Sequence, residues 1–274
     1  MPKKLNIGII GCGAIGTSLA KAVRRDFQGQ AVLTGLCDLD AAKSRKLSQT
    51  VSGGGKLAVP TLERLIRRSD LVIEAASSLC SWDIAQKVLS RGRQVIIMSA
   101  GGVASRLKEL DAMARKNNSR VYIPSGAIAG VDALKAASTA RVMKVTLTTR
   151  KGPQSFSGVE SVRRMGIDLG AIKKDTVLFS GPAEKAVKLF PQNINVAAVL
   201  SLAGIGAKKT MVKVVASPAA KKNIHEIEII SQAGRIVTRT ENIPHPANPK
   251  TSFLAVLSAI ALLKQILAPV RIGT

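Results

Sequence analysis

The sequence predicts an α/β chain in which a doubly wound parallel sheet is followed by a smaller mixed α/β domain. Three observations predict it. Up to residue 123, short apolar runs alternate with helical periodicities, the pattern of strands joined by crossover helices. A glycine turn, GCGAIG at residues 11–16, separates the first apolar run from the first helical pattern. In the second half, strand-like runs follow one another without intervening helices, which signals an antiparallel or mixed sheet.

The first run, residues 7–10, leads into Gly11, Gly13 and Gly16, with Ala14 and Ile15 opening the helix. In a dinucleotide-binding unit the first glycine permits the tight turn and the second lets the backbone approach a pyrophosphate. The third allows close packing of helix on strand, and the helix N-terminus faces the phosphate charge. Asp38 follows the second apolar run, 22 residues beyond Gly16, where a carboxylate accepts hydrogen bonds from an adenosine ribose. Further strands are expected at 56–59, 71–76, 94–98 and 120–123, and helices at 41–49, from Pro60, at 82–89 and at 103–116. Ligands in such sheets bind beyond the carboxyl ends of the strands, so the rim comprises residues 11–16, 75–78 and 99–102, including Ala76 and Ser77.

The pattern changes near Pro124. The sequence divides into a dinucleotide-binding domain (1–124), a second domain (125–247) and a C-terminal helical segment (248–274). The expected elements are a half-buried strand at 142–149, a strand at 176–180, a helix with Pro182 in its first turn and another from 191 through 202. Three strands then follow at 211–215, 224–230 and 235–240. Residues 154–174 carry no legible pattern, and residues 248–252 read as the cap of the last apolar helix.

Forty-one Lys and Arg against seventeen Asp and Glu give a net charge of +24. The basic residues are scattered in pairs, and seven aromatics offer little to stack on bases. The balance therefore reads as a solvated basic surface that steers anions, not as a nucleic-acid site. Residues 253–267 are too short and too interrupted to span a bilayer, and the first four residues lack the features of a secretory signal. Cys12, Cys37 and Cys80 have neither disulfide nor zinc spacing. Buried thiols, a cytoplasmic setting and no metal are expected.

Two histidines occur. His225 lies in NIHEIEI, where Ile224, Ile227 and Ile229 break strict alternation, as at a bulge or a residue aimed at a cleft. His245, between two prolines, reads as a surface loop residue.

Six stretches, taken in order, carry a resemblance: IGIIGCGAIG (7–16), VYIPSGAIAGVD (121–132), TLTTRKGP (146–153), FSGPAEKAVKLFPQNINVAA (179–198), NIHEIEI (223–229) and NPKTS (248–252). Through them the chain resembles L-aspartate dehydrogenase along nearly its whole length. The resemblance implies a Rossmann domain and oxidation of L-aspartate to iminosuccinate, which hydrolyses to oxaloacetate and ammonia or feeds NAD biosynthesis. It also implies a mixed α/β second domain, here expected to carry substrate binding, catalysis and dimerisation, and a terminal helix returning to the first domain; a homodimer is expected. It places the active-site histidine on His225 and cofactor contacts on Ala129 and Asn195, with Asn193 a near alternative on the same helix start.

The chemistry agrees with these parts. A neutral imidazole suits removal of an amine proton or activation of the water that attacks the imine. The two carboxylates of aspartate need cationic or hydroxyl partners, for which Lys250, Thr251 and Ser252 are candidates alongside Asn193. Asp38 favours NAD, while Lys43 and Arg45 soften its charge enough for NADP to be tolerated. The competing readings are a homoserine-dehydrogenase-like or dihydrodipicolinate-reductase-like enzyme and a non-enzymatic nucleotide-sensing or nucleic-acid-binding Rossmann protein.

Overall fold

The computed structural model describes residues 4–190 and 194–273. The chain forms two compact units, Met1–Pro124 with Val256–Arg271 and Ser125–Ala255 with Ile272–Thr274.

The first unit runs β1 (Leu5–Ile10), α1 (Ala14–Asp26), β2 (Ala31–Cys37), α2 (Ala41–Ser52), α3 (Leu62–Arg67), β3 (Leu71–Glu74), α4 (Ser81–Leu89), β4 (Gln94–Ile97), α5 (Leu107–Lys116) and β5 (Val121–Tyr122). Its strands are all parallel, in the order β2-β1-β3-β4-β5. Every residue of β3 is buried, which is why it is apolar up to its final Glu74. Ile7, Ile9, Leu33 and Ile73 pack with Leu19 and Val23 of α1 and with Ala259 and Leu263 of the C-terminal helix. A second cluster joins Ile10, Val72, Val95 and Ile97 to Ile84 and Val88 of α4 and Leu110 of α5.

Two expectations fail in this unit. Residues 56–59 form a 3-10 turn at Gly55–Leu57 and a single bridge between Ala58 and Leu36, because the preceding glycines supply no side chains to hold a strand. The helix expected from Val103 begins at Leu107, after 3-10 turns at Ala100–Gly102 and Ala104–Arg106. A Cβ on Gly102 would strike the Ser78 carbonyl and the Ser81 hydroxyl, so this rim loop is wound tightly against its neighbour.

The second unit contains α6 (Val131–Ala137), β6 (Val142–Lys151), α7 (Glu160–Arg164), β7 (Thr176–Pro182), α8 (Ala183–Leu189), α9 (Ile194–Ala203), β8 (Met211–Ala216), β9 (Asn223–Ser231) and β10 (Gly234–Asn242). A small hairpin of β11 (Pro244–His245) and β12 (Asn248–Ser252) then leads into α10 (Phe253–Leu267). The five-stranded sheet has the order β10-β9-β6-β8-β7 and is mixed: β6 and β8 are parallel, and the other pairs are antiparallel. Val145 and Leu147 of β6, Val212 and Val214 of β8, and Ile227 and Ile229 of β9 are buried.

Four readings are corrected here. Pro182 ends β7 and is the N-cap of α8, one position ahead of the first turn expected for it; its extended backbone suits an edge strand, where a missing N–H costs little. Residues 248–252 are a strand paired with β11, and α10 starts only at Phe253. β9 alternates strictly and pairs with β10 without a bulge, so His225 shares the buried face of Ile227, Ile229 and Ser231. His245 is buried, with its ring edge-on to Phe253 at 5.6 Å and Nδ1 accepting from the Ala247 amide. The illegible stretch holds only short turns around α7, too brief for a periodic signal.

Candidate active site

In the first unit the glycine turn is held by contacts that exclude larger residues. Gly11 has φ +88°, and a Cβ there would meet the Ala75 carbonyl and the Ala76 amide; one on Gly16 would strike the Gly11 oxygen. The Cβ direction of Gly13 is open, and as the N-cap of α1 it supplies no side-chain cap for the first-turn amides, which Ala14 and Ile15 begin. That combination of an open glycine and a helix N-terminus fits the pyrophosphate of a dinucleotide.

Asp38, just past β2, accepts from the Cys12 amide at 2.6 Å and from the Asp40 amide at 2.9 Å, so the acidic residue is tied to the glycine turn itself. Lys43 lies 3.9 Å from Asp40, and Arg45 is exposed. Burial first, and then the neighbouring Asp38, push the Cys12 thiol up to about 12, which removes it as a nucleophile.

Ala76 and Ser77 are exposed at the carboxyl end of β3. Beneath them lies Glu74, wholly buried, accepting from the Ala76 amide (2.9 Å), the Ser99 amide (3.0 Å) and the Ser99 hydroxyl (2.9 Å). Burial raises its pKa against the opposing pull of these donors. Glu74 thus fastens two rim loops together. A carboxylate ending an otherwise apolar strand was the available sequence signal for it.

In the second unit, Nδ1 of His225 lies 3.0 Å from the Thr149 hydroxyl, directly across the β9–β6 ladder, and both residues are buried. Burial foremost, with the positive charge of Lys151 second, lowers the His225 pKa to about 4, so the imidazole is neutral in the physiological range. Thr149 and Lys151 continue the buried register of Val145 and Leu147 along β6, a threonine and a lysine where apolar residues are due. That departure from pattern was legible but unused.

The segment carrying Ala129 lies along β10. Thr238 donates to the Ala129 carbonyl at 3.0 Å, and Thr240 and Asn242 both donate to the Ala127 carbonyl, at 3.1 and 3.0 Å. Thr240 stands opposite His225, and the Ser252 hydroxyl donates to Asn242 Oδ1 at 2.9 Å. Asn242 therefore links the Ala129 segment to Ser252, next to the strand that carries His225. Thr251 accepts from Asn248. Asn195 is exposed in the first turn of α9. Asn193 lies outside the described residues, as does the side chain of Lys250 on β12. Among the described residues there is no cluster of metal-ligating side chains and no helix long and apolar enough to cross a membrane.

Known proteins resemble both parts of the chain. The family model described as the NAD-binding domain of homoserine dehydrogenase matches residues 11–124, and that of the aspartate dehydrogenase C-terminal domain matches residues 132–266. L-aspartate dehydrogenase of Methanosarcina barkeri is 45% identical over 272 residues, covering 98% of this chain and all of the relative. The crystal structure of aspartate dehydrogenase from Thermotoga maritima superposes with a TM-score of 0.74 at 28% identity, over 99% of this chain and 100% of that one. A hyperthermophilic archaeal homoserine dehydrogenase in complex with NADPH, 15% identical with a TM-score of 0.58 over 97% of this chain and 98% of its own, shares the fold. With a nicotinamide-nucleotide-binding first unit and end-to-end identity to such relatives, the chain belongs to the L-aspartate dehydrogenase family.

Proposed function

We propose that the chain oxidises L-aspartate with NAD(P) to iminosuccinate, which water converts to oxaloacetate and ammonia, and that it runs the reverse amination. The observation that carries this reading is the buried His225–Thr149 pair, in a chain that aligns with L-aspartate dehydrogenases over 98% of its length. In the forward direction L-aspartate and the oxidised cofactor give iminosuccinate, the reduced cofactor and a proton. When bound, the nicotinamide ring accepts the hydride from Cα.

The residues of this chain do the rest. Gly11, Gly13, Ala14, Ile15 and Gly16 receive the pyrophosphate, Asp38 the ribose, and Ala76, Ser77, Ala129 and Asn195 contact the remainder of the dinucleotide. His225 is the catalytic base. For Nε2 to take the amine proton, Nδ1 must carry the ring hydrogen and donate it to Thr149, and that bond persists in the imidazolium formed. Once the imidazolium has released that proton to solvent, the freed Nε2 lone pair activates water for attack on the imine carbon. Asn193, Lys250, Thr251 and Ser252 are the polar groups assigned to the substrate.

NAD is the preferred cofactor, because the Asp38 carboxylate opposes a 2′-phosphate; the exposed Lys43 and Arg45 allow NADP at reduced efficiency. The active form is a homodimer in the cytoplasm, and iminosuccinate serves NAD biosynthesis. A panel of amino acids assayed for reduction of each cofactor tests the reading: L-aspartate should dominate, with NAD ahead of NADP. Turnover of homoserine in place of L-aspartate would replace it with the homoserine-dehydrogenase reading.

A further inference from the structure

Strand pleating sorts the charges of the second sheet onto opposite faces. On one face, Lys144 pairs with Glu228, Arg150 with Glu226 and Asp175, Arg235 with Glu228, and Arg239 with Glu226 and Glu241. The acidic residues of β9, Glu226 and Glu228, are thereby all committed to that face. Lys151 is on the other. It lies two residues beyond Thr149 on β6 and is 8% exposed, and no carboxylate among the described residues comes within ion-pair range of its ammonium.

The buried face changes character along its length. Val145 and Leu147 of β6 face Ile229 and Ile227 of β9; one step further Thr149 faces His225, and Lys151 follows. Beside Lys151 the chain continues from β8 into the buried Ser217, whose amide donates to the Lys151 carbonyl at 2.9 Å. Lys151 is also the charged group whose field reaches the His225 ring. A cation removed from water without a counter-ion is costly, and such groups gather where a ligand supplies the missing charge.

We infer that the Lys151 ammonium is the anchor for a carboxylate of the substrate, holding the amine-bearing carbon against His225. The inference rests on the proposed aspartate chemistry and adds a residue to it. Burial holds the Lys151 pKa near 8, so the ammonium still predominates at neutral pH and is available to an anion.

The test compares wild type, Lys151→Met and Lys151→Arg, each checked for folding by circular dichroism, in two measurements. Steady-state kinetics should show the KM for L-aspartate raised about 10- to 100-fold in Lys151→Met, with the KM for NAD unchanged and most of the loss recovered in Lys151→Arg. Calorimetric titration with succinate, an unreactive dicarboxylate, should show its Kd weakened by a similar factor in Lys151→Met. An L-aspartate KM and a succinate Kd both within about twofold of wild type would overturn the anchor. A wild-type protein that binds succinate through Lys151 but never oxidises L-aspartate would leave the anchor standing and remove the aspartate reading instead.

Discussion

Removing the charge of Lys151 should make the protein more stable while making it a poorer enzyme. Lys151 is 8% exposed, and desolvation is the sole cause that lowers its pKa from 10.5 to about 8. At about 1.4 kcal/mol for each tenfold change in proton affinity, keeping this group charged costs the folded state about 3 kcal/mol at neutral pH. The sign follows from proton uptake. Between about pH 8 and 10.5 the unfolded chain binds the proton and the folded chain does not, so wild-type stability rises with pH across that window; below pH 8 the penalty is present in full. Lys151→Met keeps the length and packing of the side chain and deletes the charge, so it should stabilise the protein by up to about 3 kcal/mol at pH 7. The gain should shrink as the pH approaches 10.5. Urea unfolding of both proteins at pH 7 and at the alkaline end of the window measures this directly. A variant less stable than wild type at pH 7, or a difference that does not change with pH, would refute the claim that an unpaired buried cation sits on this strand.

Three further outcomes follow from the same geometry. With the Lys151 charge gone, the His225 pKa should move up from about 4; NMR of a chain with only two histidines, assigned with His225→Gln, reads the shift, and an unmoved ring would place the two residues out of electrostatic reach. Thr149→Val removes the hydroxyl 3.0 Å from Nδ1 and frees the ring to turn, which should lower kcat about 10-fold with little change in the KM for NAD; an unaltered kcat would show that this bond does not orient the base. Asp38→Ser deletes the carboxylate tied to the glycine turn, and the ratio of kcat/KM for NAD over NADP should fall by about 10-fold or more, whereas an unchanged ratio would take cofactor choice away from this residue.

Much of the first unit could be read from the sequence because each of its features is local. The glycine turn, the acid beyond β2 and the buried β3 each report their own backbone or burial. The errors fell where a neighbour in space decides the outcome. Gly102 winds a rim loop because Ser78 and Ser81 press against it, and the strand at residues 248–252 exists because Pro244 and His245 lie opposite. The resemblance points to His225, whereas the broken alternation read around it is absent from the fold: the strand is regular, and the histidine occupies a buried position in it. Period-2 counting from Val145 reaches both Thr149 and Lys151. What that count cannot reveal is that the acids of β9 all turn to the other face, leaving the lysine unpaired.

Hydride transfer from L-aspartate to a nicotinamide cofactor, with His225 as the base, is the reaction proposed for this chain. The most direct measurement is NADH formation from L-aspartate under saturating NAD, for wild type and His225→Ala side by side. The wild type should form NADH in an aspartate-dependent manner, and kcat should be lower by about 100-fold or more in the variant, with cofactor affinity retained. A variant that turns over at near the wild-type rate would contradict that role for His225.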